Sequence, residues 1–298
     1  APRVGQAGAD VLVRVNRPWR LAVPDVEAAI GPHVRGLVLP KVDSAEHVLA
    51  LAEVASSVEA ERGLDDGHTV FFPRIEGPKG LLNAAEICAA HPRVVPVGPG
   101  SSDYTIATGM VAGGEANTIA SFLVVNAAAA AGIVPIGLTG AIVGFDDLDG
   151  FRRTAERSRA LGLRGAPCVH PSQVPILNDV FSPTAEEVER ARRVVEEYER
   201  ALAAGEGAIT VDGEFVDVTA NGVPDVVDVD LDRVRQERQR VGSFDDNAVA
   251  YSADDAGFRV VPFALRIPAV PPGWRFGEAS GQPDSAQRGT AVNPYGQA

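Results

Sequence analysis

The sequence predicts an α/β fold built on a parallel β-sheet. Short apolar runs alternate with helical patterns along most of the chain, and that alternation is the mark of strand–helix units with parallel strands. The runs are apolar on both faces rather than every second residue, as suits strands covered on both sides. Six such units can be read. A closed eight-stranded barrel needs two more, whereas an open doubly wound sheet needs none, so alternation alone leaves both topologies open.

The six strand candidates are Val11–Asn16, Gly36–Lys41, Thr69–Glu76, Arg93–Gly98, Gly132–Leu138 and Ala166–His170. Between them, Ser44–Glu61 carries Val48, Leu51, Ala52, Ala55 and Val58 at three- and four-residue steps, with Ser44 placed as an N-cap. Helices are also expected over Leu81–Ala90, Asn117–Ala131 and Phe151–Leu161. Another is expected over Thr184–Ala204, where Thr184 and Glu187 have capping-box spacing.

Composition bounds the function. The chain has 298 residues, 45% of them hydrophobic, enough for a sizeable core. Its formal net charge of −13 argues against nucleic acid as a partner, because phosphate binding needs a basic surface. The longest apolar stretch, Phe122–Val134, is Ala-rich and broken by Asn126 and Gly132, so it reads as a buried helix and not as a membrane span. Cys88 and Cys168 form no CxxC or Cys/His cluster. They are expected to be buried thiols of a cytoplasmic protein, with no zinc site or disulfide. The chain begins on Ala1 and enters a strand pattern almost at once, which reads as a processed protein or a piece of a longer one.

Residues 1–204 are expected to form the strand–helix body with a C-terminal helix, and 205–230 a lid segment. Periodicity fades after Asp217, and from Tyr251 onward Pro, Gly, Ser and Arg dominate. Residues 231–298 are therefore expected to be a tail without regular structure.

Polar residues at the C-terminal ends of parallel strands carry the most functional weight, because catalytic groups gather there in α/β folds. The first strand ends on Arg14 and Asn16, the second on Lys41, the third on Arg74 and Glu76, and the fourth leads through Gly100-Ser101-Ser102 to Asp103. If Glu76 and Asp103 meet, they repel unless a cation sits between them. With no Cys or His nearby in the pattern, a hard ion suits them best: Mg²⁺, with Mn²⁺ second. The plain alternative is a helix cap and a surface ion-pair partner. The Gly100–Ser102 turn offers backbone N–H groups that can hold a carboxylate. Arg14 can neutralise a substrate anion, or serve as a structural ion pair. His170, before Pro171, reads as structural. No nucleophile elbow or P-loop is present.

At these residues the chain resembles the HpcH/HpaI aldolase and citrate lyase β-subunit family, in its CoA-ester lyase branch with the malyl-CoA and citramalyl-CoA lyases. The resemblance runs in order through Val13-Arg14-Val15-Asn16, Leu39-Pro40-Lys41-Val42, Ile75-Glu76 and Gly100-Ser101-Ser102-Asp103. It continues through Leu161-Gly162-Leu163-Arg164-Gly165, His170-Pro171-Ser172-Gln173, Phe181-Ser182-Pro183-Thr184 and Gly213-Glu214-Phe215-Val216-Asp217. It implies a TIM (β/α)₈ barrel, with Mg²⁺ on Glu76 and Asp103 and with Arg14 on the substrate's keto or carboxylate oxygens. It places Asp217 on a C-terminal lid that closes over a neighbouring subunit, and it implies a homo-oligomer, a trimer or hexamer.

Two departures stand out. Two strand–helix units that precede the Arg-Val-Asn strand in the family are absent, so the six strands correspond to strands three to eight of a barrel. Gly77-Pro78 follows Ile75-Glu76 where Thr or Ser with Ala is commoner.

The implied activity is Mg²⁺-dependent cleavage, or the reverse condensation, of a β-hydroxyacyl-CoA thioester to an acetyl-CoA-type thioester and a 2-keto acid. Arg14 and Asp217 are the implied catalytic residues, and Gly100, Ser101 and Ser102 the substrate cradle. An aldolase acting on a free hydroxy-keto acid and a non-catalytic accessory subunit remain as alternatives.

Overall fold

The structure is a computed structural model that describes residues 10–111, 115–140, 146–204, 208–217, 249–254 and 257–262. The chain divides into two compact units, one of residues 1–181 with 245–269 and one of 182–244 with 270–298.

The first unit is the predicted parallel α/β sheet. β1 (Leu12–Arg14) is followed by α1 (Trp19–Ala29), β2 (Gly36–Leu39) by α2 (Ala45–Glu61), and β3 (Val70–Ile75) by the short α3 (Pro78–Leu82) and α4 (Ala84–Cys88). β4 (Pro96–Pro99) leads to α5 (Ser101–Thr108) and α6 (Glu115–Ala130), and β5 (Val134–Pro135) precedes α7 (Leu148–Ala160) and α8 (Val174–Phe181). β1 to β5 lie side by side in chain order, each parallel to the next. No helix among the described residues is long and apolar enough to cross a membrane.

The sixth predicted strand, Ala166–His170, is not one. Only its approach pairs with β5: Arg164 N–H donates to the Pro135 carbonyl at 2.9 Å and Gly137 N–H to that of Gly165 at 2.9 Å. Beyond it, His170 caps a 3₁₀ turn over Pro171–Gln173, its Nδ1 accepting from Ser172 N–H at 3.2 Å, while Gln173 Oε1 accepts from Val169 and His170 N–H. These local bonds compete with ladder pairing for the same backbone groups. The described strands do not close a barrel: the sheet ends on β5 at one side and, at the other, on a hairpin of β8 (Val249–Asp254) and β9 (Gly257–Pro262).

That hairpin lies within the stretch expected to lack regular structure. β8 runs parallel to β1, pairing Val13 with Tyr251 and Arg14 with Ser252. Two runs with strand-forming residues, VAYSAD and GFRVVP, flank a two-residue connection. The unpaired edge of β1 gives them something to hydrogen-bond to, which no periodicity within the tail could reveal.

Side chains alternate across the sheet. One face buries Val11, Val13, Leu37, Leu39, Phe71, Ile75 and Val97 against residues of α1, α2, α4 and α6, including Val26, Leu51, Ile87 and Val124. The other carries a smaller cluster, Leu12, Val70, Phe72 and Ile136, with Val38, Val95 and Val134 packed on it. Arg14 continues the row of Leu12, and Arg74 and Glu76 continue that of Val70 and Phe72. The rows therefore start apolar and end charged, and this places the site.

A buried ion pair lies before the start of β4. Arg93 and Glu59 are almost wholly buried. The Arg93 guanidinium donates to both Glu59 oxygens at 2.8 and 2.7 Å, to Asp66 at 2.6 Å, to Ser56 Oγ at 2.8 Å and to the Thr69 carbonyl at 3.0 Å. Glu59 also accepts the N–H groups of Thr69 and Gly67. The pair thus ties α2 to the entrances of β3 and β4.

In the second unit α9 (Ala185–Ala203) starts with the predicted capping box. Thr184 N–H donates to Glu187 Oε2 at 2.6 Å and Glu187 N–H to Thr184 Oγ1 at 3.1 Å. An antiparallel hairpin, β6 (Ala208–Val211) with β7 (Glu214–Asp217), packs on α9 through Val194, Ile209 and Val211. Arg193 pairs with Asp212 at 3.1 Å. The C-terminal helix, read with the strand–helix body in the sequence, thus groups with the first part of the lid segment. The rest of that segment lies outside the described residues.

Glu59→Gln leaves Arg93 buried with only the exposed Asp66 as its charge partner and is expected to cost about 3 kcal/mol in chemical denaturation. Burial pushes the Glu59 carboxyl up, but hydrogen bonds from Arg93 and Thr69 outweigh it and hold it below its ordinary 4.5. A depressed carboxylate stabilises the fold fully above pH 4.5 and loses that contribution as pH falls through its folded value. The difference in unfolding free energy between wild type and Glu59→Gln should therefore shrink below pH 4.5.

Candidate active site at the C-terminal strand ends

Glu76 is the first residue past β3, nine-tenths buried, and its carboxylate is held from three sides. Lys41 N–H donates to Oε2 at 3.1 Å. Arg74 Nε lies 3.9 Å from Oε1. Gly100 lies directly against the side chain: a Cβ built there would sit 2.3 Å from Glu76 Cγ and 3.0 Å from Oε1. Only glycine lets the turn after β4 approach this closely. Gly100 N–H donates to the Ile75 carbonyl at 2.8 Å, extending the β3–β4 ladder to the carboxylate.

Ser101, Ser102 and Asp103 form the first turn of α5, with Gly100 as the N-cap residue and no side chain capping it. The first N–H groups of a helix have no intrahelical partner and present positive potential. A carboxylate placed there meets donors without the protein supplying a second Arg. Asp103 is partly exposed, and its Oδ1 lies 3.4 Å from Lys41 Nζ. Lys41 thus touches both acidic groups, one through its amide and one through its ammonium.

Arg74 is the other cation of the site. It donates to the Pro99 carbonyl at 2.6 Å and that of Ile136 at 3.4 Å, and its guanidinium lies over the Phe72 ring at 5.2 Å. Burial pushes its pKa down, the Glu76 charge opposes that, and the positive charge of Arg14 adds to it. Arg14 is therefore close enough for its charge to be felt at Arg74, and it is exposed at the end of β1. Arg17 bonds the Lys41 carbonyl at 3.0 Å and reaches Asp43 at 3.4 Å. His47, beneath the Trp19 ring, is held to about 4 chiefly by burial, so it is neutral near pH 7 and adds no charge.

Glu76, Gly100, Ser101 and Asp103 are brought together, with Arg14 at the edge of the group. Asp217 closes β7 in the second unit, paired with Ala208. Sequence reading underrated two residues. Arg74 stands two positions before Glu76 and so shares its face, a signal the strand period contains. Lys41 adopts a left-handed backbone, φ 50°, which nothing in its neighbours predicts.

Among the described residues no set of three Asp, Glu, His or Cys converges. Glu76 and Asp103 would offer a cation two carboxylates, with further positions left to water or substrate. That suits Mg²⁺, which keeps several waters and takes one or two carboxylates, and does not suit zinc.

The model of one family, HpcH/HpaI aldolase/citrate lyase, matches residues 2–171. The citrate lyase subunit beta of Escherichia coli is 31% identical over 216 residues, covering 70% of this chain and 69% of that one. The chain belongs to the HpcH/HpaI aldolase/citrate lyase family. This is a family of carbon–carbon lyases and aldolases. An L-malyl-CoA/beta-methylmalyl-CoA lyase of Cereibacter sphaeroides is 30% identical over 221 residues, 68% of this chain and 69% of that one.

Among solved structures, the protein CitE of Mycobacterium tuberculosis, in complex with magnesium, acetoacetate and coenzyme A, aligns with a TM-score of 0.52 at 25% identity. The alignment covers 69% of this chain and 72% of that one. A citrate lyase of Burkholderia xenovorans gives a TM-score of 0.59 at 18% identity, over 70% and 67% of the two chains, and shares the fold. The ordered motifs thus point to the right family.

Gly100→Ala is expected to displace the Glu76 carboxylate, because Lys41 and Arg74 leave it little room to turn aside. Divalent-cation affinity, read by titration calorimetry, should fall about 10- to 100-fold. Unchanged affinity would show that Glu76 has room to retreat.

Proposed function

We propose that this chain is a Mg²⁺-dependent carbon–carbon lyase. It cleaves, or forms by condensation, a β-hydroxyacyl-CoA thioester, giving an acetyl-CoA-type thioester and a 2-keto acid. One observation carries the reading: Glu76 and the first turn of α5, with Asp103, converge through Gly100 at the C-terminal strand ends. The names of the relatives support the substrate class, since malyl-CoA lyase and the complex with magnesium and coenzyme A both belong to similar proteins. The same reading takes the parallel strands as an arc of a (β/α)₈ barrel, whose catalytic groups sit at this end.

In this scheme Glu76 and Asp103 hold the cation. Bound there, Mg²⁺ supplies Lewis-acid polarisation of the oxygen that becomes the keto group. The N–H groups of Ser101 and Ser102 hold the carboxylate of the keto-acid half, assisted by the helix N-terminus. As the bond between the hydroxyl carbon and the thioester α-carbon breaks, its electron pair moves to the thioester as an enolate and the hydroxyl proton passes to a solvent water. Arg14 offsets the negative charge that develops. Asp217, from a lid supplied by a neighbouring copy in a homo-oligomer, returns a proton to the α-carbon. This role for Asp217 rests on the family motif.

Release of 2-keto acid from malyl-CoA and citramalyl-CoA, assayed with Mg²⁺ and with excess chelator, tests the reaction. Glu76→Gln and Asp103→Asn should each lower kcat/KM by more than about 100-fold and weaken Mg²⁺ binding. Full activity in both variants would rule out the carboxylate pair as the metal site. Arg14→Gln should lower kcat by roughly 100-fold while leaving metal affinity within about twofold. A parallel loss of metal binding would place Arg14 among the residues that shape the carboxylates instead.

A further inference from the structure

We propose that Lys41 is a positioning residue that assembles the Glu76–Asp103 pair before a divalent cation arrives and competes with that cation for Asp103. The inference rests on the metal reading of the two carboxylates and assigns a role to a third side chain.

Every polar group of Lys41 is committed. Its N–H donates to Glu76 Oε2 at 3.1 Å, its carbonyl accepts from Arg17 Nε at 3.0 Å, and its ammonium lies 3.4 Å from Asp103 Oδ1. Arg17 is itself fixed to Asp43. The next residue resumes the strand ladder, Val42 N–H donating to the Arg74 carbonyl at 3.1 Å. Between these anchors the Lys41 backbone sits at φ 50°. A non-glycine residue in this region is strained, and it persists only where its surroundings over-determine it. Here the strain turns the amide toward Glu76 and leaves the long side chain free to reach Asp103.

Each carboxylate already has a cation beside it without a metal. Lys41 Nζ lies 3.4 Å from Asp103 Oδ1 and Arg74 Nε 3.9 Å from Glu76 Oε1. Adding a divalent cation to that set leaves an excess of positive charge. The Lys41 ammonium, which is half exposed and flexible, is the group able to withdraw. The buried and tethered Arg74 is not. An incoming carboxylate restores balance, so the cation and an anionic substrate favour each other's binding. The ammonium freed from Asp103 remains beside the site to meet that carboxylate.

Binding of Mn²⁺ to the full chain, followed by the loss of the free-ion EPR signal, tests this. Lys41→Met removes one positive charge and should bind Mn²⁺ about 10-fold more tightly than wild type. Lys41→Arg keeps the charge and should stay within about threefold. Pyruvate should tighten Mn²⁺ binding in wild type and do so less in Lys41→Met. Lys41→Gly should also bind Mn²⁺ more tightly. It should melt above Lys41→Met, because glycine relieves the left-handed strain; this keeps the test open if the methionine variant folds poorly. Equal or weaker Mn²⁺ binding in Lys41→Met and Lys41→Gly overturns the proposal. Glu76→Gln separates the two readings. If wild type and Glu76→Gln bind Mn²⁺ equally, the metal site itself fails and Lys41's role falls with it. If Glu76→Gln weakens binding while Lys41→Met and Lys41→Gly leave it unchanged, the site stands and Lys41 does not compete.

Discussion

The structure depends on sheltering a nearly buried carboxylate at the end of a strand. Glu76 can sit there because a backbone amide, a guanidinium and a glycine turn surround it. Each is supplied by a different segment: the Lys41 amide by the end of β2, Arg74 by β3 itself, and Gly100 by the turn after β4. An unpaired carboxylate in that position would cost several kcal/mol. The register of three strands is therefore tied to the electrostatics of one side chain. A slip of one residue would turn Arg74 and Glu76 to the helix-covered face.

The N-terminal ends of the strands carry a different ion pair. Arg93 and Glu59 form a buried pair, and each Glu59 oxygen also accepts a backbone N–H, from Thr69 or Gly67. Its exposed member is Asp66, which caps the outer side of Arg93 at 2.6 Å. The pair at the C-terminal ends instead leaves Asp103 and Lys41 partly exposed. One ion pair is almost wholly buried at its centre, and the other is open to solvent. That difference in exposure separates the groups that hold the fold from those that can do chemistry.

Much of this was legible in the sequence because it is local. The alternation of apolar runs, the capping box at Thr184 and Glu187, and the position of Glu76 after β3 all follow from periods of two and 3.6 residues. The Gly-Ser-Ser-Asp turn was legible as a turn, but α5 and α8 were missed because an eight-residue helix shows barely two periods. The sixth strand was overread: Ala166–His170 is apolar enough for a strand, yet Gln173 takes the backbone donors of Val169 and His170. The β8–β9 hairpin was unreadable, since its strands gain order from the distant edge of β1.

The sequence by itself determined the family, the parallel α/β class and the identity of the two acidic residues at the strand ends. These follow from residue types and spacings that survive without knowing which segments touch. Tertiary structure alone decided that Gly100 presses on Glu76, that Lys41 bends left-handed to reach both carboxylates, and that Arg74 is a mostly buried counter-charge. Those facts depend on distances between segments 24 to 62 residues apart in the chain. Only the sheet's pairing order brings such segments within hydrogen-bonding range, and no local period encodes it.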